Sequence, residues 1–389
     1  MKMEFRQRIN YYDNRFLMFI LDKMAYEYEL QGKDVIRMTL GKSELPVHPR
    51  IIGAMTDALE DFEKSAKVFP AGLPELKNEL AAHYSSKYDV DIPADNFIIS
   101  VGTSTIFRNL FHLLTNEKDE VLLPLPYYSL YNFCAQLTGA SIKYYDIDLQ
   151  TLRLNRESFK ANYSDKTKIV VINTPGNPLG NILTEDELYF IDEVVNGRAI
   201  IINDEIYANM CFDDKGSSVM QLKNTKSTFI TTDAFSKGYR MYSRRVGYCI
   251  VPDELVLPLT VIQHHTLLTA DPVVQYGAIE ALHHPDEIEI LRTSYKHRRD
   301  YTEQILNTID GIHVYHSKGS FYCTVDCANF MRTKGYQTSL ALAEEIMKEK
   351  YVAVVPGSDF GLPYTIRLSF SSLAYEEGID RLAEFFAAK

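Results

Sequence analysis

Lys237 closes the run Thr231-Thr232-Asp233-Ala234-Phe235-Ser236-Lys237, eight residues before Arg245 and one crossover's length after Asp204-Glu205-Ile206-Tyr207. A lysine amine that burial or neighbouring positive charge has stripped of its proton is a nucleophile toward a carbonyl carbon. Arg244 and Arg245 supply such charge. Asp204 follows the apolar run Ala199-Ile200-Ile201-Ile202-Asn203, and a carboxylate at the end of a buried strand is costly unless paired. A protonated aromatic nitrogen is a suitable partner, and its retained proton makes the ring an electron sink. On position alone Asp204 would serve equally as a helix cap, and most lysines are solvated surface groups. The constellation of amine, carboxylate, hydroxyaromatic (Tyr207) and guanidinium carries the chemistry.

Those four groups are the ones needed to hold pyridoxal 5′-phosphate (PLP) as a Schiff base, and further motifs extend the pattern. Gly102-Thr103-Ser104-Thr105 follows an apolar strand and opens a helix with apolar residues at Ile106, Leu110, Leu113 and Leu114. A helix N-terminus presents free backbone N–H groups and suits a phosphate, although an ordinary cap has the same signature. Asn173-Thr174-Pro175-Gly176-Asn177-Pro178-Leu179-Gly180 forms a rigid loop at another strand's C-terminal end, where ligands of open parallel sheets bind. In Tyr364-Thr365-Ile366-Arg367-Leu368-Ser369-Phe370 a single arginine sits in an alternating strand. A guanidinium there can clamp a carboxylate with two parallel hydrogen bonds, and a structural ion pair would use it equally well.

The elements that must position these groups read as follows. Phe16 to Leu30 has helical spacing at Leu17, Leu21, Met24 and Tyr28. Strands are expected at Phe97–Val101, Glu120–Leu123, Lys168–Asn173, Ala199–Asn203, Phe229–Thr232 and Gly247–Val251, most of them far enough apart for helical crossovers. Pro272 to Asn307 reads as helical with a break at His284-Pro285. Beyond it, strands at His313–His316, Ser320–Val325, Val352–Val355 and Thr365–Ser369 surround a helix at Ser339–Lys348. The expected fold is α/β: a three-layer α/β/α large domain with a mainly parallel sheet, residues 43–284, plus a smaller α+β domain from residues 1–42 and 285–389.

At 389 residues the chain suits one large and one small domain. Its net charge of −11 argues against a nucleic-acid footprint, which needs clustered Lys and Arg. Cys134, Cys211, Cys249, Cys323 and Cys327 lack paired metal-type spacing and read as buried thiols, so no metal is expected. The longest apolar run near the N-terminus, Phe16 to Leu21, is too short for a membrane span or a signal sequence. A cytoplasmic protein without a membrane partner is expected.

Together these motifs resemble the class I/II aminotransferases, the fold-type I PLP enzymes, from about Phe16 to the chain's end. The resemblance implies that Lys237 is the Schiff-base lysine, Asp204 the partner of the pyridinium nitrogen, and Tyr207 and Asn177 the partners of the phenolic oxygen. Arg245, Thr103 and Ser104 would hold the phosphate, and Ser236 and Lys67 would also bind the cofactor. In Pro126-Tyr127-Tyr128-Ser129-Leu130-Tyr131, Tyr128 resembles the residue stacked on the ring, with Tyr127 as the alternative. Arg367 would bind the substrate α-carboxylate, assisted by Asn177 and by the backbone at Gly41. The implied reaction moves an amino group from an L-amino acid to a 2-oxo acid by a ping-pong route. The implied assembly is a homodimer that shares Lys67, His265 and Thr266 across its interface.

Three positions depart from the family's usual pattern. Ala234 stands where a phosphate-binding serine is common, and Lys67 where a tyrosine commonly reaches the neighbouring subunit's phosphate. Lys42 and Ser43 in Gly41-Lys42-Ser43-Glu44 replace a common Glu-Pro. No arginine occurs from Gln263 to Pro272, where dicarboxylate-specific members can carry one, which makes a dedicated aspartate enzyme less expected. The same α-carbanion also serves lyases, racemases, cyclases and PLP-dependent oxidases. A non-catalytic effector-binding domain would need a fused DNA-binding module, which about forty acidic-chain residues before the lobe crossing do not supply.

Overall fold

The computed structural model describes residues 16–213 and 216–388; the start of the expected small domain, residues 1–15, lies outside them. After a first helix, Met18–Leu30, the short strand β1 (Ile36–Arg37) leads to helices Pro49–Glu60 and Pro74–Tyr88. Each of the latter begins with proline, whose missing N–H costs nothing in the first helical turn.

Eight strands then build one sheet: β2 (Phe97–Ser100), β3 (Glu120–Leu125), β4 (Ser141–Asp148), β5 (Arg153–Leu154), β6 (Thr167–Asn173), β7 (Ile200–Asp204), β8 (Thr228–Ala234) and β9 (Gly247–Ile250). Their spatial order is β2-β9-β8-β7-β6-β3-β4-β5. The pairs β3·β4, β3·β6, β6·β7 and β7·β8 are parallel, whereas β9 runs antiparallel to both β2 and β8. Alternation sends successive side chains to opposite faces. Val170, Ile172 and Ile201 pack with Leu188 and Ile191 on one side, while Ile169, Val171, Ile202 and Ile230 pack with Phe107 and Leu110 on the other. Helices therefore cover both faces, the arrangement parallel strands require.

Strand β4 and the two-residue β5 were absent from the expected elements. β4 alternates exposed and half-buried residues over Ser141–Tyr144 and carries Lys143, Asp146 and Asp148, so it lacks the continuous apolar run that marks β6 and β7. The antiparallel β9 likewise follows from its short link: residues 235–246 hold a turn but no crossover helix.

The rest of the chain runs through helices Pro272–Leu282 and Asp286–Leu306, separated at the expected His284-Pro285 break. Strands β10 (His313–Val314), β11 (Tyr322–Asp326), β13 (Val355–Pro356) and β14 (Thr365–Ser369) form an antiparallel sheet in the order β10-β11-β14-β13. Strand β12 (Val352–Ala353) pairs parallel with β1. One apolar core joins Leu21 and Met38 to Phe321, Leu342, Ile346, Leu368 and Leu382, tying the first helix to the C-terminal elements.

Candidate active site

Strands β2, β6, β7 and β8 all point their C-terminal ends the same way, and β9 begins there. Asn173 ends β6, Asp204 ends β7, and Lys237 follows Ala234 at the end of β8. A cleft of about 540 Å³ opens at this edge, between the large sheet and β11 and β14. Lys237, Asp204, Tyr207, Asn177, Arg367 and Gly41 line it, as do Thr103, Ser104, Tyr128, Ser236 and Arg245.

Lys237 Nζ donates to the Gly41 carbonyl at 2.7 Å. Burial pushes its pKa down, the charges of Arg367 and Arg245 push the same way, and Tyr322 opposes them. A side chain on Gly41 would collide with the Tyr322 hydroxyl and approach Lys237 Nζ at 2.8 Å. Only glycine therefore lets the backbone come this close to the amine.

Asp204 is buried and accepts from Tyr131 Oη at 2.6 Å and from Thr232 Oγ1 and the Ile206 amide, each at 3.3 Å. Burial nevertheless raises its pKa to about 6, with these bonds and Lys237 holding it from going higher. A cationic group at the cleft floor would find a carboxylate already oriented.

Gly102 turns with φ +87° ahead of the helix Thr103–Leu114, and any side chain there would strike the Arg245 guanidinium. The register that sets Ser100 opposite Gly247 brings Arg245 against this helix start. Helix N–H groups, the Thr103, Ser104 and Ser236 hydroxyls and one guanidinium suit a phosphate dianion.

Arg367, only 2% exposed, donates from Nη1 to Asn177 Oδ1 at 3.0 Å and from Nη2 to the Thr39 carbonyl at 2.6 Å, while its Nε has no hydrogen-bond partner. Asn177 is itself fixed by its backbone N–H, which donates to Asn173 Oδ1 at 2.8 Å. Tyr207 donates to the Tyr322 hydroxyl at 3.2 Å.

Lys67 stands apart. It pairs with Glu75 Oε1 at 2.5 Å and donates to Tyr276 Oη at 2.9 Å, away from the cleft of its own chain. Ala234 lines a small hollow behind the sheet with Tyr248 and His83. Tyr131 and Tyr322 were not assigned roles from sequence. Tyr131 is three residues from Tyr128 and so shares its helix face, a signal that was legible. Tyr322 faces the cleft because Thr324 pairs with Arg367 across β11 and β14, a register that the residue pattern does not reveal.

The family described as aminotransferase class I and II matches residues 33–386. The chain belongs to that family. An aspartate aminotransferase from Bacillus sp. (strain YM-2) is 30% identical over 369 residues, 93% of this chain and 94% of the relative. A probable aspartate/prephenate aminotransferase from Aquifex aeolicus is 32% identical, covering 92% of each. Among solved structures, an aspartate aminotransferase from Thermotoga maritima superposes with a TM-score of 0.88 at 26% identity, covering 98% of this chain and 99% of that one. The protein is thus a PLP-dependent aminotransferase with the fold-type I architecture, acting on amino-acid and oxo-acid substrates. The buried carboxylate of Asp204, the amine of Lys237 and the Gly102–Arg245 cradle fit that cofactor's ring nitrogen, aldehyde and phosphate in chemical kind.

Proposed function

We propose that Lys237 is the residue that carries the cofactor and then moves the substrate proton, with Asp204 under the ring nitrogen and Arg367 on the substrate α-carboxylate. The observation that carries this reading is the convergence of a depressed lysine, a buried carboxylate and a buried guanidinium on one cleft. Thr103, Ser104, Ser236 and Arg245 hold the phosphate, Tyr207 and Asn177 the phenolic oxygen, and Tyr128 covers the ring face. Gly41 presents its backbone to Lys237 and to the substrate.

PLP supplies an electron sink for the pair left on the substrate α-carbon. The chain's residues do the rest. Lys237, whose burial favours the neutral amine, takes the α-proton at Nζ and returns it on the other side of the exchange. Asp204 stays ionised opposite a cationic ring nitrogen, and Tyr131 and Thr232 fix its oxygens. Arg367 orients the donor so that its α-hydrogen faces Lys237. The donor loses its amino group and leaves as a 2-oxo acid; a second 2-oxo acid then takes up that group, which gives ping-pong kinetics.

Two chains forming a dimer would bring Lys67, His265 and Thr266 to a shared boundary. Exposed apolar residues nearby, Phe62, Val68 and Leu268, support that assembly. A division into residues 43–284 and residues 1–42 with 285–389 is supported by the separate eight-stranded and four-stranded sheets, and a cytoplasmic location by five free, buried cysteines. Among the described residues no helix is long and apolar enough to cross a membrane. Replacing Lys237 by alanine tests the assignment: cofactor bound without the absorbance of a lysine adduct, and no exchange with any amino acid, is the expected result. Retained exchange would refute it.

A further inference from the structure

The wall beside Arg367 is apolar. Met18, Val355 and Phe360 form a buried cluster, with Phe16 and Leu40 packed against it. Phe360 also faces the clamp, since Arg367 Cζ lies 4.6 Å from its ring centroid. Phe16, Met18, Phe19 and Leu40 all line the cleft, and the Phe16 and Phe19 rings meet edge-on at 5.7 Å. Leu40 is held between Thr39, whose carbonyl anchors Arg367, and Gly41, whose carbonyl receives Lys237.

Charge gives the same answer. Among the described residues lining the cleft the cations are Lys237, Arg245 and Arg367, and the one carboxylate is Asp204. Each has a place in the reading above, so a charged donor side chain would find no free partner in this chain's cleft and would lose water there.

The wall is tied down from behind. Asp359, one residue before Phe360, accepts from the Leu17 amide at 2.9 Å and the Met18 amide at 3.1 Å, capping the first helix where Phe16 and Met18 enter the cleft. Two orphan N–H groups of that helix start are satisfied by a carboxylate whose neighbour touches Arg367.

We propose that the amino donor is an amino acid with a large uncharged apolar side chain, aromatic or branched aliphatic, received by Phe16, Met18, Phe19 and Leu40, with Asp359 as the residue that positions this wall. This rests on the aminotransferase reading and on Arg367 as the carboxylate site.

The test uses the full-length holoenzyme and single L-amino acids, following cofactor absorbance and released 2-oxo acid. L-Phenylalanine or L-leucine reacts at least about tenfold faster per molar than L-aspartate, L-glutamate or L-lysine, and more efficiently than L-alanine. In Phe19→Ala and Asp359→Ala the preference for L-phenylalanine over L-alanine falls about tenfold, while Asp359→Asn, which keeps an acceptor oxygen, retains most of it. A merely structural Asp359 would lower both donors alike. Because Phe19 is 63% exposed, its truncation leaves the core intact and carries the test if the Asp359 variants do not fold. Calorimetry gives a readout without turnover: unreactive 3-phenylpropanoate binds the holoenzyme at least about tenfold more tightly than succinate. Faster reaction with L-aspartate, or tighter succinate, overturns the side-chain assignment and leaves transamination standing. No reaction with any donor overturns both.

Discussion

Arg367 stacks its guanidinium 3.9 Å above the centre of the Tyr322 ring while its two terminal nitrogens hold Asn177 and Thr39. One planar group thereby links the loop after β6, the segment leading to Gly41, and the small sheet. Lysine can reproduce the charge but neither the fork nor the stack. Arg367→Lys is expected to raise KM for both amino acid and 2-oxo acid about a hundredfold, a loss of about 3 kcal/mol in carboxylate binding. Steady-state kinetics with each substrate varied in turn measure it.

Tyr322 is the buried tyrosine whose hydroxyl lies against Gly41 and accepts from Tyr207. Burial would raise its pKa, but the charges of Lys237 and Arg367 outweigh that and hold it below the ordinary tyrosine value. Its reciprocal effect favours the protonated form of Lys237. In Tyr322→Phe the neutral amine therefore persists to lower pH, and the acid limb of the rate of PLP recombination with apoenzyme shifts downward. An unchanged limb would show that Tyr322 does not act on the amine.

Asp204 costs the apoenzyme stability. Its pKa is raised by burial to about 6 in the folded chain, so the folded state binds the proton more tightly than the unfolded one. Its contribution is present at low pH and is lost as pH rises from the ordinary aspartate range through about 6. The loss is on the order of 3 kcal/mol. Apo Asp204→Asn should melt no lower than wild-type apoenzyme at pH values above that range and show a flatter stability profile across it. The same variant should lose PLP readily, because its amide cannot pair with a cationic ring nitrogen. Thermal melts of both apo proteins against pH decide the point.

Gly41→Ala places a methyl group against Tyr322 and Lys237. The expected outcome is a folded protein with at least about a hundredfold lower kcat/KM, since displacement of about 1 Å at the reacting amine suffices for that. Circular dichroism and kinetics together separate this from unfolding.

Much of the site was legible because parallel strands deliver side chains to one edge. Asn173, Asp204 and Lys237 each follow an apolar run, and such runs are readable without knowing their neighbours. Arg245 was legible from its place eight residues after Lys237, although the reversal of β9 that brings it to Gly102 was not. What escaped depends on long-range pairing. Tyr322 is brought to Arg367 by the β11–β14 register, and Phe16 and Met18 reach the cleft through Asp359, more than three hundred residues away in the chain. The edge strand β4 was missed because its charged, half-exposed residues lack the pattern of a buried strand.

The most direct measurement is a single turnover. Purified holoenzyme is mixed with one amino-acid donor and no 2-oxo acid, and cofactor absorbance and 2-oxo acid are followed, with Lys237→Ala alongside. The account predicts one equivalent of 2-oxo acid per site, full conversion of the cofactor to its amine form, recovery on adding a second 2-oxo acid, and none of this in Lys237→Ala. Continued product formation without an acceptor, with the cofactor left in its aldehyde form, would contradict it and identify a lyase, racemase, cyclase or oxidase instead.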